Sequence, residues 1–157
     1  MAARYWTVSW EALHRDAQAL AALVAEDGPY RGIVAVSRGG LIPAALLAHA
    51  LGLRVVETVC VVTYDPVSSG EEETLGDPVV TKPPLGAGDG EGFLIVDDLV
   101  DTGTTARAVR ALLPKARFAC VYAKPAGRAL ADVVAREVDQ DTWIVLPWER
   151  EAGDERT

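Results

Sequence analysis

The chain has 157 residues, half of them hydrophobic, which is enough to close one core and too few for two comfortable domains. Its formal net charge of −8 and pI of about 4.7 repel nucleic-acid phosphates and anionic lipid alike, and no run of lysine or arginine is long enough to override that balance. With neither a signal-peptide core nor an apolar run of membrane-spanning length, the protein is expected in the cytoplasm.

Along the chain, Trp10, Leu13, Ala17, Leu20 and Val24 repeat near the 3.6-residue period behind Ser9, a capping residue, and predict an amphipathic helix over 10–24. Gly32 to Val36 is a short β-branched run that leads through Ser37-Arg38-Gly39-Gly40 into a helical stretch from Leu41 to Leu51, ended by Gly52. Arg54 to Tyr64 reads as a long strand. From Asp65 to Gly92 the hydrophobicity drops and Glu71, Glu72 and Glu73 follow one another, which predicts a long loop of the kind that serves as a lid or is disordered.

Phe93 to Val96 predicts a buried strand, Thr104 to Leu113 a helix stopped near Pro114, and Arg117 to Ala123 a further strand. Val133 to Glu137 and Thr142 to Leu146 are shorter strand candidates. Cys60 and Cys120 each sit in an apolar β-like run and are expected to be buried free thiols. Strands that are apolar throughout and alternate with helices predict an α/β fold with a mainly parallel sheet flanked by helices. In such sheets ligands bind beyond the carboxyl ends of the strands.

The chemistry is concentrated at Ile95-Val96-Asp97-Asp98-Leu99-Val100-Asp101-Thr102-Gly103-Thr104-Thr105, where a buried strand meets three carboxylates, a glycine between threonines and a helix. Free backbone N–H groups and the positive end of the helix dipole, joined by threonine hydroxyls, make Thr102 to Thr105 a candidate phosphate cradle. Carboxylates beside a phosphate site suit a sugar diol and a hard divalent cation, so Asp97 and Asp98 imply ribose hydroxyls and Mg2+, with Asp98 the metal ligand. The alternative is an acidic loop with a helix cap.

This motif resembles the hallmark of the type I phosphoribosyltransferases: two hydrophobic residues, two acidic residues and a Thr-Gly-x-Thr phosphate loop. The order and spacing of Val36 to Leu41, Asp89 to Phe93, Asp98 to Gly103, Ala123 to Arg128 and Gln140 to Ile144 extend the resemblance, over residues 5–149, to the bacterial branch acting on xanthine and guanine. The resemblance implies one phosphoribosyltransferase domain over 1–149 with a lid at 65–92, and the charged end at 150–157 is expected to be a disordered tail.

By the same resemblance the donor, phosphoribosyl pyrophosphate, is bound by Ser37, Arg38, Gly39, Asp97, Asp98, Leu99, Val100, Asp101, Thr102, Gly103, Thr104 and Thr105. Arg38 and Gly39 belong to the loop that grips pyrophosphate; taken alone, they fit a plain turn with a surface arginine. Lys124 is implied to reach the exocyclic oxygen of a 6-oxopurine, Trp143 to stack on the base and Ile144 to offer backbone groups to its edge. Without the family, an exposed lysine and a core tryptophan fit as well. Asp101 is the implied proton acceptor, its alternative role being a helix cap.

Two departures stand out. The family's lid carries an arginine, whereas residues 65–92 contain none, and Lys82 is their one basic residue. A solvated tail replaces the family's apolar end, which puts its usual tetramer in doubt; a homo-oligomer, tetramer or dimer, remains the expectation. Some relatives associate loosely with the inner membrane. Rival readings are a hypoxanthine- or adenine-preferring enzyme and a nucleotide-sensing RNA-binding regulator, the latter opposed by the acidic charge.

Overall fold

The computed structural model describes residues 4–63 and 76–149. Its strands are β1 (Arg4–Thr7), β2 (Gly32–Ser37), β3 (Val56–Thr63), β4 (Pro78–Lys82), β5 (Phe93–Val100), β6 (Arg117–Ala123), β7 (Val133–Glu137) and β8 (Thr142–Val145). The helices are α1 (Trp10–Ala25), α2 (Leu41–Leu51) and α3 (Thr104–Leu112). None of them is long and apolar enough to cross a membrane.

Six strands form one sheet in the order β4-β3-β2-β5-β6-β7, parallel at every step except β3 with β4. From β2 the chain moves outward to β3, then returns to the other side of β2 for β5 and continues through β6 to β7. The direction of winding therefore reverses between β2 and β5. At such a reversal the loops leaving two adjacent strands part to opposite faces and open a crevice at their carboxyl ends.

One face of the sheet packs Leu94 and Val96 of β5 against α1 and α2; the other packs Ile95 and Phe118 against α3. On α1 the buried stripe is Leu13, Ala17, Leu20, Ala21 and Val24, and Ser9 accepts the N–H of Ala12 at 3.1 Å as the expected cap. Trp10, by contrast, is 54% exposed and tilts against Trp148 with ring centroids 6.0 Å apart.

Among the polar groups in this core, the Tyr122 hydroxyl donates to Asp16 at 2.8 Å, joining β6 to α1, and Trp6 meets the tyrosine ring edge-on at 5.2 Å. Asp16 is 7% exposed. Tyr122→Phe removes the donor and strands a buried carboxylate oxygen, a loss expected to cost about 1–3 kcal/mol. Urea unfolding checks it: the midpoint should fall with an unchanged slope.

The structure corrects several sequence expectations. The run from Asp65 to Gly92 is not all loop, since β4 pairs antiparallel with β3 through Val61↔Val80 and Val62↔Val79. Its hydrophilic flanks conceal a five-residue strand whose partner supplies the hydrogen bonds. Tyr64, the end of the expected long strand, and residues 65–75 of the expected lid lie outside the described residues, as does the expected tail at 150–157. Periodicity gives no sign of β1, which pairs parallel with β8 in a separate two-stranded ribbon. Cys120 is buried, and burial pushes its thiol up, but Cys60 is only half-buried.

Candidate active site

At the carboxyl end of the sheet two adjoining cavities share Asp97, Asp98, Leu99, Thr105 and Glu149. The first, of about 410 Å3, runs along the whole loop from Asp97 to Ala106 and is closed on one side by Ile144 and Leu146. The second is bordered by Ser37, Arg38 and Gly39. Together they occupy the crevice that the winding reversal between β2 and β5 creates.

β5 continues through the acidic residues to Val100 because its backbone still pairs with β6, Leu99 with Tyr122 and Val100 with Ala123. The chain then turns at Gly103, whose φ of 91° is a left-handed conformation that glycine adopts without steric cost. A Cβ there would sit 2.2 Å from the Leu130 side chain. Gly103 caps α3 with no side-chain hydrogen bond, so the capping role open to Asp101 is not realised. The first turn of α3 keeps its N–H groups for a ligand, and the Thr102 and Thr104 hydroxyls stand 3.2 Å apart at its mouth.

Below this cradle Asp97 is 7% exposed, and its Oδ1 accepts the N–H of Asp98 at 2.9 Å. Burial, followed by the neighbouring Asp98 charge, pushes the Asp97 carboxyl well above the usual carboxylate range. Burial also raises Asp98, and Glu149 adds repulsion. Among the described residues neither carboxylate has a lysine or arginine within ion-pair distance. An acidic pair of which Asp97 is buried and Asp98 half-buried, with no cationic partner among the described residues, fits a hard divalent cation that neutralises it. No closed cage of three or more His, Cys, Asp or Glu side chains occurs among the described residues.

The β2–α2 turn lies directly against the acidic pair. A Cβ on Gly39 would fall 2.2 Å from Asp98 Oδ2, and one on Gly40 2.5 Å from the Val96 carbonyl, so two glycines let the loops touch. The Ser37–Arg38 peptide is cis. Ser37 donates its hydroxyl to the Val59 carbonyl at 3.3 Å, tying the turn to β3, while Arg38 is exposed beside the second cavity.

Lys124 is not the exposed lysine that its residue type alone suggests: it is 5% exposed. Its N–H donates to Val100 O at 2.9 Å and its Nζ to Asp101 Oδ2 at 3.0 Å. Ile144 is buried and lines the first cavity. Trp143 projects from the opposite face of β8, 63% exposed, in register with Tyr5; it is neither a core residue nor part of either cavity lining. The structure thus gathers Ser37 to Gly39, Asp97 to Thr105 and Ile144 around one crevice, sets Lys124 behind Asp101 and leaves Trp143 outside.

Sequence reasoning gave no role to Glu149, which precedes the expected tail, or to Gln140, which entered only as the start of a motif. Glu149 ends a short 3-10 turn, Pro147–Glu149, and accepts the Leu146 N–H at 2.9 Å, which holds its carboxylate at the crevice. Lys82, the candidate stand-in for the lid arginine, donates to Glu57 at 2.6 Å and to the carbonyls of Thr58 and Pro83. With those three bonds its ammonium is fully engaged between β3 and β4.

The chain matches the phosphoribosyl transferase domain over residues 9–152. It is 60% identical to the xanthine-guanine phosphoribosyltransferase of Gluconobacter oxydans over 92% of this chain and 84% of that protein. The chain belongs to the xanthine-guanine phosphoribosyltransferase family. A second member, from Nitratidesulfovibrio vulgaris, is 52% identical over 94% of this chain and 86% of its own. The crystal structure of a purine phosphoribosyltransferase from Pyrococcus horikoshii superposes with a TM-score of 0.77 at 31% identity, covering 98% of this chain and 99% of that one. As a phosphoribosyltransferase, the chain has the type I α/β fold that the acidic motif implied.

Proposed function

We propose that this phosphoribosyltransferase joins guanine or xanthine, and hypoxanthine less well, to the ribose phosphate of phosphoribosyl pyrophosphate, releasing pyrophosphate. One observation carries the reading: an open helix start, the adjacent carboxylates of Asp97 and Asp98 and the arginine-bearing turn converge on one crevice at the winding reversal. The α3 start and the hydroxyls of Thr102, Thr104 and Thr105 hold the 5′-phosphate, where the helix dipole favours negative charge. Asp97 and Asp98 face the ribose hydroxyls. Arg38, with the backbone of Ser37 and Gly39, grips the pyrophosphate with a fixed fork of donors.

The donor set suits Mg2+, held by Asp98, which supplies neutralisation of charge on the pyrophosphate oxygens. As the bond to pyrophosphate lengthens, the anomeric carbon gains oxocarbenium character and the base nitrogen attacks from the opposite face. Asp101 accepts the proton that this nitrogen sheds. Lys124 turns from Asp101 toward the exocyclic oxygen of the base, Ile144 offers its backbone to the base edge, and Trp143 reaches the ring face only if the β8 ribbon closes over the crevice.

The test is nucleotide formation from the donor, Mg2+ and guanine, xanthine, hypoxanthine or adenine in separate reactions. Guanine and xanthine should react, adenine should not, and chelation of the metal should abolish turnover until Mg2+ is restored. Reaction with adenine at a comparable rate would overturn the role given to Lys124, and full activity after chelation the role given to Asp98. The same reading takes residues 1–149 as one catalytic unit with 65–92 as its lid, working in the cytoplasm as a homo-oligomer whose mass light scattering measures.

A further inference from the structure

Gln140 lies in the turn between β7 and β8, far in sequence from the acidic loop, yet its side chain bridges two parts of the site. Its Oε1 accepts the Ala126 N–H at 2.9 Å and its Nε2 donates to Asp101 Oδ1 at 2.7 Å. The assignment of the amide is fixed by chemistry: a backbone N–H can only donate, so the atom facing Ala126 is the oxygen and the NH2 must face Asp101. The segment that carries Ala126 is itself packed on Asp101, since a Cβ on Gly127 would fall 2.7 Å from the Asp101 carbonyl oxygen.

Both oxygens of the Asp101 carboxylate are thereby engaged, Oδ1 by Gln140 and Oδ2 by Lys124. The two donors differ in one respect. Lys124 is needed at the base, so its bond to Oδ2 must open for that oxygen to receive a proton. Gln140 is anchored at its other end by Ala126 and has no such second task.

From this we infer that Gln140 is a positioning residue for the proton acceptor: its locked amide holds Oδ1 so that Oδ2 faces the base when Lys124 leaves. The inference rests on the reading of Asp101 as that acceptor. A carboxylate free to rotate about its last bond loses the fixed attack geometry, and misplacement of a reacting group by a fraction of a bond length is expensive in rate.

Steady-state kinetics of the full chain with donor, Mg2+ and guanine test it. Gln140→Ala should lower kcat by about tenfold to a hundredfold. The donor KM should stay within about twofold, because the pyrophosphate and phosphate loops are untouched. Gln140→Glu keeps the acceptor for Ala126 but turns an oxygen toward Asp101, so its kcat should fall at least as far while its denaturant midpoint stays near that of the parent. In an Asp101→Asn background, Gln140→Ala should cost almost nothing further, because the two residues act as one unit.

Wild-type kcat in both Gln140 variants overturns the inference and leaves Asp101 in place. A tenfold cost of Gln140→Ala that persists beside Asp101→Asn also overturns it, since Gln140 then acts only on the turn. Full activity of Asp101→Asn itself removes the reading of Asp101, and this inference with it. Should Gln140→Ala fail to fold, the near-isosteric Gln140→Glu carries the test alone.

Discussion

Asp101→Asn should lower kcat by about 10²–10⁴, the range a positioned general base contributes, with the donor KM close to the parent value. Asparagine has one acceptor oxygen where the carboxylate has two, and both are in use, at 3.0 Å from Lys124 and 2.7 Å from Gln140. One of the two donors must then face an NH2 group. If the oxygen stays with Lys124, the near-buried ammonium keeps a hydrogen bond but loses its counter-charge. The Asp101 side chain is 45% exposed, so solvent offsets much of that loss and the stability cost should be about 1 kcal/mol or less. Activity and stability therefore separate: turnover collapses in a protein that still unfolds cooperatively at nearly the same denaturant concentration. A kcat within a few-fold of the parent would mean that the base proton passes to solvent.

Gly40→Ala should be the most damaging conservative substitution in the β2–α2 turn, and Gly39→Ala beside it should fail differently. The Gly40 backbone has φ −77°, which any residue adopts, so conformation is not the obstacle; space is. A methyl group there would lie 2.5 Å from the Val96 carbonyl, 2.7 Å from the Val36 carbonyl and 3.1 Å from the Asp97 Cα. These atoms belong to the two strands flanking the winding reversal, and strand backbone paired on both sides does not shift cheaply. Overpacking of this kind costs about 1–3 kcal/mol or more, against a total stability of about 5–15 kcal/mol, and the relief would part β2 from β5 at the crevice.

The methyl of Gly39→Ala meets the Asp98 carboxylate instead, 2.2 Å from Oδ2, and a side chain can rotate away. That variant should fold with near-parental stability and need more Mg2+ and donor, because Asp98 is pushed off the position from which, in the proposed mechanism, it would hold the cation. Thermal unfolding combined with a Mg2+ titration of activity separates the two. Equal stability loss in both variants would show that the loops move as one rigid piece.

How much of this was legible beforehand differs from residue to residue. The Ser37 to Gly40 turn and the Asp97 to Thr105 loop were readable because each carries a local signal, an apolar run broken by glycine or carboxylate and followed by a helix start. Even there the end of β5 was misplaced: the apolar run stops at Val96, but the strand continues to Val100 on hydrogen bonds that β6 provides. β4 was lost in a hydrophilic segment because its stability comes from β3 and not from its own pattern. The lysine at 124 reads as a surface residue until Val100 and Asp101 are seen to fold over it.

Readable from the residues alone were the α/β alternation, the glycine-led helix start, the acidic pair and, through the order and spacing of its motifs, the family. These are properties of short contiguous stretches, where the spacing of residue types already implies the chemistry. The reversal of winding between β2 and β5, the place of Glu149 at the crevice, that of Trp143 outside it and the bond from Gln140 to Asp101 emerge in the folded chain. Such facts depend on which distant strands pair and on which side chains meet across the gap, and long-range packing selects among partners that local pattern leaves equivalent.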